Sequence, residues 1–183
     1  MKAIMFTAHS KAVSVCYPFD SIFRIMQSGG WWSGFPKGYI EVQIERWIKE
    51  GVAPDHAKRY CEALGHGGVV GHEAWAIIRD HNCARHGTNH DLIDTDDLPE
   101  SYWWDAWRRS DNGGPAYVDL EKAQKIQWQN MCAATDAENK RRERDLFGKA
   151  PIKLDRLYWR SAILRARDEK ELRKVWPEHL PPW

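Results

Sequence analysis

Neither sign of charge dominates this chain: its 27 lysines and arginines nearly match 26 aspartates and glutamates, for a formal net charge of +1. Such a balance provides no global field to draw a protein onto nucleic acid or an anionic membrane surface, which argues against both as partners. Long apolar runs are also missing. Stretches such as Ala3-Ile4-Met5-Phe6 fall far short of the roughly 18 to 20 residues that a membrane span needs. Met1-Lys2-Ala3 leads straight into strand-like residues, without the apolar core and small-residue cleavage site of a signal peptide, so the cytoplasm is the expected location. Cysteine is scarce. Cys16, Cys61, Cys83 and Cys132 are widely spaced with no CxxC pair, a pattern that reads as free, mostly buried thiols.

Several catalytic signatures are absent too. His72-Glu73 does not become HExxH, because Ala76 stands where the second histidine belongs. No GxSxG is present, and Cys16 as a nucleophile would need a base that nothing local supplies. Gly65-His66-Gly67-Gly68 follows helical residues rather than a strand and lacks a Lys-Ser/Thr partner, so it is expected to be a helix–helix turn rather than a phosphate loop. The reading is therefore not an enzyme.

Tryptophan is what the chain has in excess, with 11 copies that include the doublets Trp31-Trp32 and Trp103-Trp104. Indoles bury large areas and carry one N–H donor, which suits cores and protein interfaces alike. Trp31, Trp32, Trp103, Trp104 and Trp107 are the candidate partner-binding residues. A second group is His81, Cys83, His86 and His90, with His72 nearby. Imidazole and thiolate are zinc's ligands, so these four are candidate metal ligands, and a metal-dependent nuclease or hydrolase is the enzymatic alternative.

Local patterns predict an α+β fold that is predominantly helical. Ala3–Thr7 and Ala12–Tyr17 read as a β-hairpin, and Asp20 as the cap of a short helix through Met26. Ile40, Ile44, Trp47 and Ile48 recur with helical spacing before Gly51, and Pro54 opens the next helix, with Ala57, Tyr60, Cys61 and Leu64 on its inner face. Ala74, Ile77, Ile78 and His81 mark the inner face of a third. Residues 83–116 read as a connecting arm with one short strand near Leu92-Ile93 and a turn at Asn112-Gly113-Gly114-Pro115. Asp119 should cap the longest helix, from Leu120 to about Phe147, and Asp168 with Glu171 should form a capping box for the last of two shorter helices. Two regions are expected, 1–91 and 92–183, which could also form one compact unit.

The string Asp97-Leu98-Pro99-Glu100-Ser101-Tyr102-Trp103-Trp104-Asp105-Ala106-Trp107-Arg108, followed by Tyr117-Val118-Asp119-Leu120-Glu121-Lys122-Ala123-Gln124-Lys125-Ile126, resembles small phage and prophage proteins of the tail-assembly-chaperone or tail-fibre-associated type. The tail Glu169-Lys170-Glu171-Leu172-Arg173-Lys174-Val175-Trp176-Pro177 continues the pattern, so the resemblance covers about residues 92–177. It implies an accessory protein that acts by binding a protein of phage or host origin, in the host cytoplasm or on the virion, with no cofactor. An inhibitor of a host defence system is the related alternative. No catalytic residue transfers, because the pattern contains none.

Overall fold

The computed structural model describes residues 1–145 and 150–182. The protein is α+β and mostly helical, and it divides into two compact units, 1–98 with 109–116, and 99–108 with 117–183.

In the first unit, β1 (Lys2–Ala8) and β2 (Val13–Cys16) form the expected hairpin. The sheet gains a third strand, β3 (Gly87–Asp94), and its order is β2-β1-β3, all antiparallel. This strand is longer than the segment expected near Leu92-Ile93. Between the pairs Met5–Asp91 and Thr7–Thr88, β1 has one residue and β3 has two, so β3 carries a bulge. Asn89 supplies the left-handed conformation there, with φ 55°, which asparagine tolerates better than most residues.

Helices α1 (Asp20–Ser28), α2 (Tyr39–Lys49), α3 (Pro54–His66) and α4 (Gly71–Ile78) lie between β2 and β3 in the chain. Asp20 is not the cap of α1: Phe19 holds the N-cap position and Asp20 is already helical, where its carboxylate still faces the positive end of the helix dipole. The end of α2 is a Schellman motif. Gly51, at φ 89°, lets its own N–H bond Ile48 O and that of Val52 bond Trp47 O. One face of the sheet, with Ile4 and Phe6, packs against Met26, Ala63, Leu64, Ala74, Ile77, Ile78 and Cys83.

After α4 the chain winds one π-helical turn over Arg79–Cys83. This turn places Cys83 among the residues packed on the sheet and His81 against Tyr60 and Trp47 of α3 and α2. Arg109 is a buried cation of this unit. Its guanidinium donates to Met5 O, Asn89 O, Gly114 O and the Asp91 carboxylate, so it ties the bulge to a hairpin formed by β4 (Trp107–Ser110) and β5 (Gly113–Val118). That hairpin occupies part of the expected connecting arm. Its tip belongs to the first unit and its base to the second.

The second unit is built on α5 (Leu120–Glu143), with α6 (Arg156–Arg165) and α7 (Glu169–Lys174). Asp119 caps α5 by accepting from Lys122 N–H, and Asp168 caps α7 by accepting from Glu171 N–H. The Glu171 carboxylate in turn accepts from Arg167 N–H. α5 ends at Glu143 with Arg144 at its C-cap, short of the expected extension to about Phe147; Phe147 and Gly148 themselves lie outside the described residues. Along α5 the buried stripe runs Ala123, Gln127, Met131, Thr135 and Glu138, and Ala134 is only half-buried. Gln127 is fully buried and fully used: its carbonyl accepts from Tyr102 OH at 2.8 Å, and its amide donates to Val175 O at 2.7 Å and Leu172 O at 3.3 Å.

Candidate functional site

Of the five tryptophans singled out in the sequence, Trp103 and Trp107 are core residues of the second unit, 0% and 2% exposed. Their size makes them anchors for α5 rather than contacts for a partner. The Trp107 indole donates to Glu100 O, and Trp104, 41% exposed, lies over Trp107 at 4.8 Å between ring centroids.

Trp31 and Trp32 sit in the loop that joins α1 to α2 in the first unit. The base of that loop is closed by two backbone approaches. Gly30 N–H bonds Gly65 O and Trp31 N–H bonds Leu64 O, while Gly68 and Val69 N–H bond Gln27 O and Met26 O. Gly29 and Gly67 make the crossing, both with positive φ, and a Cβ on Gly67 would lie 2.5 Å from Gly29 N. No other residue type fits there.

The crossing holds up a cluster of four rings. Trp31 is 50% and Phe35 52% exposed, and Trp32 and Tyr39 are half-buried beneath them. Phe35 stacks on Tyr39 at 4.2 Å, Trp32 packs on Tyr39 at 5.6 Å, and Trp31 meets Trp32 edge-on at 6.1 Å. A cavity of about 380 Å³ lies among Trp32, Phe35, Tyr39, Ile40 and His66. The Trp32 indole N–H is buried there without a hydrogen-bond partner. Phe35 and Tyr39 carry no sequence signal for this role, since they join the tryptophans only through the way the loop folds.

The histidine segment divides. His90 stacks on Phe6 and lines a cavity of about 300 Å³ with His72, Trp75 and Arg79. His81 lines a different cavity, on α2 and α3. Cys83 is fully buried in the core of the first unit and His86 is exposed, its Nε2 accepting from Arg85 Nε. His81, Cys83, His86 and His90 are therefore not gathered into a ligand set. Among the described residues no group of three or more His, Cys, Asp or Glu side chains is placed to hold a metal ion.

Cys16 gains hydrogen-bond partners in the fold, though not a base. The Cys83 thiol and Asn82 stabilise its thiolate by hydrogen bonding, the Cys83 thiol contributing more, and hold its pKa at about 7 against the opposing effect of burial. The Cys83 thiol is pushed up by that shared hydrogen bond and by burial. Comparison with protein-family models, with curated proteins and with solved structures returned no match. Among the described residues no helix is long and apolar enough to cross a membrane.

Proposed function

We propose that this chain acts by binding a protein partner through the aromatic loop, as an accessory protein of a phage or prophage. The observation that carries the reading is the exposure of Trp31 and Phe35 above Trp32 and Tyr39 on a loop pinned by the Gly29–Gly67 crossing. Rings held rigidly at a surface lose little conformational freedom on docking, and each removes a large apolar area from water, which is why aromatic side chains dominate interface energetics. Val42, 55% exposed on α2, adds to the apolar surface of the same unit. The resemblance over residues 92–177 supports the phage context. An assembly factor and an inhibitor of host defence would use the same binding chemistry, and the identity of the captured protein separates them.

The test is affinity capture with the full chain and with the double variant Trp31→Ala/Phe35→Ala, from phage-infected and uninfected host cells. Both side chains are exposed, so the variant should keep the circular dichroism and melting temperature of the parent. A protein retained by the parent and lost by the folded variant supports the reading. Equal retention by both overturns it.

A further inference from the structure

Helix α6 turns apolar residues outward as well as inward. Ile163 is buried, yet Leu157 is 86% and Leu164 70% exposed. These two leucines, two helical turns apart with Arg160 between them, form one stripe on the outer face of the helix. Arg160, Ile163 and Leu164 also wall a cavity of about 310 Å³ whose other side is Gln124, Lys125 and Trp128 of α5. The Trp128 ring is half-buried there, with the Arg160 guanidinium over it at 4.9 Å. The result is an apolar groove between two helices, edged by a leucine stripe that water surrounds.

The charge around this groove is mostly of one sign. α6 carries Arg156, Arg160 and Arg165 and no acidic residue, and among the described residues none of these three arginines forms an ion pair. Of the carboxylates on either side, Glu121 pairs with Lys125 at 2.7 Å, and Asp155 accepts from Tyr158 N–H as the cap of α6. Asp136 is exposed further along α5, which leaves the arginines in excess. Exposed apolar area bordered by uncompensated cations fits a partner that brings both apolar side chains and carboxylates. A second copy of this chain is a poor occupant, since a two-fold contact pairs a surface with itself and would set the same arginines against one another. A membrane would take in the leucines, but Arg160 stands in the middle of their stripe, where an interfacial helix keeps apolar residues. A partner helix meets neither obstacle. Apolar side chains at helical spacing can enter the groove, while carboxylates on the flanks reach Arg156, Arg160 and Arg165.

We propose that the α5–α6 groove docks an acidic amphipathic helix of a partner protein, as a second surface that does not depend on the aromatic loop of the first unit.

The probe is a fluorescein-labelled amphipathic peptide of about 15 residues, with leucine at helical spacing and glutamate and alanine elsewhere. Fluorescence anisotropy with the full chain at about 50 mM salt should show saturable binding, and the counterpart with lysine in place of glutamate should not bind. Leu157→Ser/Leu164→Ser changes exposed side chains only, so circular dichroism should stay as in the parent while affinity falls roughly tenfold or more. Arg160→Glu should weaken the glutamate peptide by a similar factor, and Trp31→Ala/Phe35→Ala should bind it as the parent does. No binding of the glutamate peptide, equal binding of the lysine peptide, undiminished binding in either α6 variant, or binding lost in the loop variant overturns the proposal. So does co-sedimentation with phosphatidylserine vesicles, or a dimer in sedimentation velocity, that Leu157→Ser/Leu164→Ser abolishes, since the face would then belong to a membrane or to a second copy.

Discussion

A neutral buried imidazole leaves a signature in the pH dependence of stability. The pKa of His81 is lowered in the folded chain, so below about pH 6.5 the unfolded chain takes up a proton that the folded chain refuses. Stability is therefore unaffected well above that value and declines as pH falls through 6.5 toward the folded pKa, by at most about 1.4 kcal/mol per pH unit. Urea titrations at pH 7.5, 6.5 and 5.5, a series set at about one-unit steps around that reference, should show the decline, and His81→Phe should flatten it. The cysteines make a second residue-level expectation. With its pKa at about 7, Cys16 should be the one fast-reacting thiol toward iodoacetamide, its rate rising through pH 7, while Cys61, pushed up to about 11 by burial, stays inert. Peptide mapping of the alkylated chain reads this directly, and equal labelling of all four sites contradicts it. The inward face of His81 is legible from its spacing after Ala74, Ile77 and Ile78. Its clamp is not, because Trp47 and Tyr60 reach it from two other helices whose crossing no local pattern encodes.

At the level of elements, the Gly29–Gly67 crossing and the Arg109 anchor are where single changes should cost most. Gly67→Ala puts a methyl group into backbone at positive φ and should destabilise the first unit by about 2 kcal/mol or more. Arg109→Met leaves the buried Met5 carbonyl, the partly buried Asn89 and Gly114 carbonyls and a half-exposed carboxylate without their donor, and about 2 kcal/mol is the expected loss. Chemical denaturation of each variant measures both. The helices with clear caps are legible: Asp119 and Asp168 act where their spacing places them, and Gly51 ends α2. The β4–β5 hairpin is not, although its Asn112-Gly113 turn is. Arg108-Arg109-Ser110 on one side and Ala116-Tyr117-Val118 on the other lack the apolar alternation of a half-buried strand, because what secures the tip is a buried guanidinium.

For the molecule as a whole, charge is the property that reads most directly. The basic run Lys140 to Arg144 at the end of α5 resembles a nucleic-acid contact in sequence, yet Glu138 takes both Arg141 and Arg142, at 2.7 and 3.0 Å. Those two cations hold the Glu138 carboxyl well below the usual range, at about 2. With this compensation and a net charge of +1, the full chain should not retard duplex DNA in a gel at near-physiological salt. Retardation abolished by Arg144→Gln would show the run to be an active contact after all. The fold class is legible because helical spacing and caps cover most of the chain. The aromatic loop is legible only as a tryptophan doublet, since exposure depends on which rings the glycine crossing lifts out of the core.

The central position of β1 has a consequence for biosynthesis. Its two partners arrive far apart in time: β2 follows within a few residues, whereas β3 comes only after four helices have been made. During translation the β1–β2 hairpin therefore waits with one long edge unpaired, and closing the sheet requires ordering the whole intervening chain. The helices, stabilised by near-neighbour contacts, can form while the ribosome is still adding residues, and the sheet is completed last, so slowing elongation between α4 and β3 should lengthen the period in which nascent chains are open to aggregation.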